Sequence, residues 1–146
     1  MPQLTFPVTA AGLAVPVLVG VDGKTTAALH AAGRPIPLPI GAPGLLDTCS
    51  DLTAIAPWVF QQLAIPPATT ATTQTAAGPV IVRLYEVSLS IADPAQPGQF
   101  LLTEPALLVS ELAAVLPNAD VLIGMDLLLK GKLLLDGPTR QFTLDF

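Results

Sequence analysis

Apolar and polar positions alternate over short distances in this chain, and every apolar run is cut by Gly, Pro or Asp before a long helix can form. Residues 13–21 are apolar and β-branched and predict a strand. Asp22-Gly23 signals a tight turn, so 24–29 is expected to return as a hairpin partner. A proline-rich passage, 34–43, reads as a loop ending in a short strand at 44–47. The best helix is Pro57 to Leu63, with Pro in the first turn and Val59, Phe60 and Leu63 on one face. Residues 69–77 and 80–91 predict a long hairpin turning at Ala76-Ala77-Gly78. Residues 93–98 predict a loop, 100–103 and 106–109 two strands, and 110–116 at most two turns of helix. Val121-Leu122-Ile123 reads as a buried strand broken by Gly124, with Asp126 capping a short helix over 127–130. The tail, 132–136 and 141–146, predicts a hairpin around Gly137-Pro138. The sum is an all-β closed fold of eight to ten short strands with one or two short helices, in one domain spanning 1–146.

Composition narrows the function. The 146 residues are 51% hydrophobic and 12% charged, which excludes disorder, and the 16 prolines disfavour long helices. No apolar run reaches the length of a membrane span, and the N-terminal Met-Pro-Gln-Leu-Thr-Phe-Pro lacks an export signal, so a cytoplasmic protein is expected. A net charge of −5, with six scattered Lys and Arg, argues against nucleic acid. One cysteine, Cys49, and one histidine, His30, leave no disulfide and no ligand set for a metal, and no cofactor is expected. So apolar a chain also predicts a partner surface, most simply on a second copy of itself.

The segment Gly44-Leu45-Leu46-Asp47-Thr48-Cys49-Ser50 carries the chemistry. An ionised Asp at the end of an apolar strand requires donors, or a second carboxyl group sharing its proton. Together with Leu122-Ile123-Gly124-Met125-Asp126, it resembles the retroviral-type aspartic proteases, or retropepsins, especially their cellular and bacterial relatives. The order matches theirs: Asp-Thr, a helix near Pro57, a flap hairpin near 73–82, then apolar-apolar-Gly before a short helix. The resemblance implies an endopeptidase acting on polypeptides, with Asp47 catalytic and Thr48 and Cys49 in its supporting loop. It further implies substrate contacts from Asp51, Ala54, Ala76, Ala77, Gly78 and Leu122. Only one such motif is present, so the resemblance implies a homodimer contributing one Asp47 per chain, with terminal strands interleaved between subunits. Cys49 stands where the family has Gly, and Met125 where many viral members have Arg. That leaves a second reading open: a dimer of this fold, catalytically impaired, serving as a binding or assembly module. His30 reads as a surface residue and Trp58 and Phe60 as core.

Overall fold

A computed structural model describes residues 2–146. Its ten strands and three short helices run β1 (Gln3–Pro7), β2 (Ala14–Val21), α1 (Gly23–Ala31), β3 (Ile40–Leu46), β4 (Ala54–Ile55), α2 (Pro57–Leu63), β5 (Thr69–Thr75), β6 (Gly78–Ala92), β7 (Phe100–Glu111), β8 (Val121–Ile123), α3 (Met125–Leu128), β9 (Lys132–Asp136) and β10 (Gln141–Asp145). Six strands close a barrel in the order β2-β3-β8-β4-β7-β6, with β6 pairing back onto β2 and β5 attached outside the ring. Closure leaves no edge to template aggregation along the barrel wall. A second, antiparallel sheet, β1-β10-β9, gathers the chain ends.

Alternation puts one face of each strand inside. Val15, Val17 and Val19 of β2 meet Val87, Leu89 and Ile91 of β6, with Val109, Val121 and Ile123 beside them, all at most 3% exposed. Burial of each such side chain contributes about 1.5–3 kcal/mol. Helix α2 starts on Pro57 and buries Val59, Phe60 and Leu63, and Phe60 stacks on Tyr85 with ring centroids 3.7 Å apart. Trp58, on the other side of that helix, is 41% exposed and donates its indole N–H to Asp120 (3.2 Å), so it is not the core residue expected.

Several expectations are corrected. Residues 24–29 do not return as a strand but form most of α1. Asp22 caps this helix, its carboxylate accepting from the Thr25 N–H (2.9 Å) and hydroxyl (2.6 Å), and Gly33 at φ +64° ends it. Asp-Gly followed by Ala27, Ala28 and Leu29 favours a capped helix over a hairpin, because nothing in 24–29 alternates. Strand β3 begins at Ile40, inside the passage read as loop. Residues 100–111 are one strand rather than two, and no helix follows at 110–116. Pro105 is tolerated because it lies at a bulge, where β7 advances three residues (Glu104 to Leu107) against two of β6 (Leu89 to Val87). Gly124, not Asp126, occupies the cap position of α3. Within the chain, the terminal strands pair Gln3–Pro7 against Gln141–Asp145.

Candidate active site

Strand β8 lies between β3 and β4, parallel to β3 and antiparallel to β4. The connection from β3 to β4 therefore crosses the end of β8, and this crossing carries Asp47. Its N–H donates to the Ile123 carbonyl (2.9 Å), extending the β3–β8 pairing one residue past the strand. The half-buried carboxylate accepts the Cys49 N–H at Oδ1 (2.9 Å).

The loop is tied down from below. The Met125 N–H donates to the Ser50 carbonyl (2.7 Å) and the Asp126 N–H to that of Asp51 (3.1 Å). Fully buried Thr53 donates its hydroxyl to Asp126 Oδ1 (2.8 Å) and its N–H to Oδ2 (3.0 Å), while its oxygen accepts the Gly124 N–H (3.1 Å). Glycine is required at 124 by space: a Cβ there would stand 2.6 Å from the Leu52 carbonyl carbon and 2.8 Å from the Ser50 oxygen, both backbone. Neither Thr53 nor this use of Asp126 was anticipated. The signal was available, since a carboxylate at the start of an apolar helix needs donors.

Above the loop opens a cleft of about 480 Å³, lined by Asp47, Cys49, Ser50, Asp51 and Leu52 on one side, Ala71 to Gln74 of β5 opposite, and Val82, Leu84 and Ser110. Strand β6 serves both interiors: Val82 and Leu84 face the cleft, and Tyr85, Val87, Leu89 and Ile91 face the barrel core. Of the residues singled out from sequence, Asp47, Cys49 and Asp51 share this cleft. Thr48 is exposed beside it. Ala54 is buried opposite Leu122 in the β4–β8 pair, and neither lines the cleft of a single chain. Ala76, Ala77 and Gly78 form the hairpin tip, with Gly78 at φ +112°, beyond the lining residues. Asp51 is exposed, with no side-chain hydrogen bond or ion pair among the described residues. His30 is exposed on α1 and takes no part in the cleft.

Cys49 is exposed, and its φ is not in the left-handed region that would call for glycine. The thiol therefore leaves the Cys49 N–H on the Asp47 carboxylate in place. Among the described residues no cluster of His, Cys, Asp and Glu has the arrangement of a metal site, and no helix is long and apolar enough to cross a membrane.

An Asp at the mouth of a closed barrel, on a loop crossing a central strand and facing a long hairpin, defines a retropepsin-like protein. A family model described as "Aspartyl protease" matches residues 39–127, from the start of β3 through Asp47 to α3, and the chain belongs to that family. The structure is similar to the crystal structure of a retropepsin-like aspartic protease from Rickettsia conorii. The TM-score is 0.57 at 14% identity, with 97% of this chain and 89% of that one covered. No curated protein matches the sequence.

Proposed function

We propose that this aspartic protease is an endopeptidase working as a homodimer, with Asp47 of each of two single-domain chains forming the catalytic pair. The observation that carries the reading is the Asp47 carboxylate itself, half-buried at the cleft and accepting the Cys49 N–H, on a backbone whose Asp47 N–H donates to the Ile123 carbonyl. One chain supplies one such strand-end carboxylate, and hydrolysis by this chemistry needs two, sharing a proton.

In the pair, the ionised carboxylate takes a proton from water as its oxygen attacks the peptide carbonyl carbon, and the protonated one gives its proton to the carbonyl oxygen. The tetrahedral gem-diol then collapses. The carbon–nitrogen bond breaks as the nitrogen takes the proton that the first carboxylate gained from water. A hydroxyl of the gem-diol gives its proton to the other, now ionised, carboxylate, and the pair returns to its shared-proton state. An extended polypeptide would lie between the Asp47 loop and the β5–β6 hairpin, which acts as a flap. Val82, Leu84 and Leu52 offer apolar contacts, while Thr72, Thr73, Gln74 and the exposed Asp51 offer polar ones to substrate backbone. In the dimer, Thr48 supports the paired loops, and Ala54, Leu122 and the tip residues Ala76, Ala77 and Gly78 complete the substrate site.

The ordinary backbone at Cys49, with its N–H still on Asp47, supports catalysis over a purely binding role. The test is cleavage of an unfolded protein by the wild type and by Asp47→Asn, with and without a transition-state mimic of the statine type. Cleavage that is inhibited by the mimic and absent in the variant is expected. Equal cleavage by both would overturn the assignment of Asp47.

A further inference from the structure

Charge in the cleft is of one sign. Asp47 and Asp51 line it, and none of the chain's six Lys and Arg residues does. Arg83 sits between Val82 and Leu84 on β6, but alternation turns it to the other face of the strand, where Glu111 holds its guanidinium (3.2 Å). Lys130 is likewise engaged, by Glu104 (2.7 Å), and the remaining four lie on or just after α1 and in the terminal hairpin. The opposite wall, Ala71 to Gln74, presents methyl, hydroxyl and amide groups and no charge.

Asp51 is the carboxylate there without a task inside the chain. Its side chain makes no hydrogen bond or ion pair among the described residues, while its backbone is fixed by the Asp126 N–H on its carbonyl (3.1 Å). A carboxylate with an anchored root and unengaged oxygens is prepared for a donor from outside. Apolar surface lies in the same cleft: Leu52, 37% exposed, with Val82 and Leu84. A substrate side chain that uses both features needs an unbranched apolar stem ending in a cation. Lys and Arg have that form, because their methylenes lie along apolar surface while the head keeps its charge paired or solvated. An acidic side chain in the same place would meet Asp51 and the charge of the Asp47 pair with no cation to offset them. The net charge of −5 acts in the same direction, drawing basic polypeptides toward the chain.

We infer that Asp51 sets the substrate preference of this protease, selecting polypeptides with Lys or Arg at one fixed position from the scissile bond and rejecting Asp or Glu there. The inference rests on the Asp47 reading above, and it adds recognition of a side chain to the backbone contact of Asp51.

The test is the cut-site profile of a mixed peptide library, read by mass spectrometry at about pH 6, where a free Asp is ionised. Wild type is expected to enrich Lys and Arg at one position. Matched peptides with Lys or its neutral isostere norleucine at that position should differ about tenfold in kcat/KM, between the values for exposed and desolvated ion pairs, and the difference should shrink with salt. Asp51→Asn should bring the ratio within about twofold, and Asp51→Lys should turn the preference to Glu, which a merely structural role would not do. Should a variant lose turnover, the same ratio is read from the binding of statine-type peptides carrying Lys or norleucine. Cleavage that depends on Asp47 but favours no basic position, or a basic preference that Asp51→Asn leaves intact, overturns the role of Asp51 and leaves the Asp47 reading standing. A library that wild type leaves uncut overturns both.

Discussion

The Asp47 loop and the β5–β6 hairpin face each other across one cleft but are held in opposite ways. The loop is bound by groups distant in sequence: Asp47 to Ile123, Ser50 to Met125, Asp51 to Asp126, and Thr53 to both Gly124 and Asp126. The hairpin is bound mainly to itself. Its ladder runs from Thr69–Leu84 to Thr75–Gly78, its turn is closed by Thr75 Oγ1 donating to the Gly78 carbonyl (2.8 Å), and no residue of β5 is buried. Its firmest outside tie is at the base, where Glu111 accepts the Arg83 N–H (3.0 Å) and meets its guanidinium (3.2 Å). Long-range bonds hold the carboxylate in one position, whereas the hairpin, tied mainly to itself, is the element that the proposed flap role requires to open.

The sharpest way to test the contrast is to change chemistry on the rigid side without changing its bonds. Asp47→Asn keeps an oxygen for the Cys49 N–H, so it should fold as wild type while peptide cleavage falls by about 10²–10⁴-fold or more. Hydrogen exchange reads the contrast directly. Amides of 72–80 should exchange at least about 100-fold faster than those of Val121–Ile123, a difference near 3 kcal/mol in opening free energy. Comparable protection would erase the distinction.

Loosening the rigid side should cost both stability and activity. Thr53→Val strips Asp126 of a donor and Gly124 of an acceptor, for about 1–3 kcal/mol in denaturant unfolding. Gly124→Ala drives a methyl into the Leu52 and Ser50 backbone, for about 1–3 kcal/mol.

Away from the cleft, Asp22→Ala should cost about 1 kcal/mol through its cap and leave cleavage unchanged. Burial alone would raise the Asp22 carboxyl, but donation from the Thr25 hydroxyl and the Thr25, Asp22 and Lys24 amides outweighs it, and Asp22 titrates below its ordinary 3.8. A depressed folded value gives stability that is present above 3.8 and fades as pH falls through the lower folded value, and the variant should lack that acid-side loss. The smallest effect is expected from Cys49→Gly, within about twofold in activity, because the replaced side chain is exposed and its backbone needs no glycine.

What the sequence disclosed follows from how locally each feature is determined. Asp47-Thr48 after an apolar run, the helix from Pro57, the turn at Ala76-Ala77 and the terminal hairpin all announce themselves within a few residues. Helix α1 was missed because Asp22-Gly23 serves a hairpin and a helix cap alike, and no buried face in 23–31 imposes a helical period. Strand β7 was divided at Pro105 because a bulge that excuses a proline depends on the neighbouring strand. At the cleft, Asp47, Cys49 and Asp51 were legible from the motif. Thr73 and Gln74 fell within the hairpin expected near 73–82, but Ala71 and Thr72 were not legible, since only the placement of β5 outside the barrel ring turns a stretch of Thr and Ala into a wall.

Closing the barrel has a kinetic consequence. Val17–Val21 must find Val87–Ile91, about seventy residues later in the chain. That loop-closure entropy is met before the seam returns any burial, so folding belongs to the slow, milliseconds-to-seconds class of all-β domains. During synthesis, β2 emerges long before β6 and, once paired with β3, waits with its other edge open. Its Pro16 and Gly20 then act as breaks in a strand that would otherwise be free to aggregate.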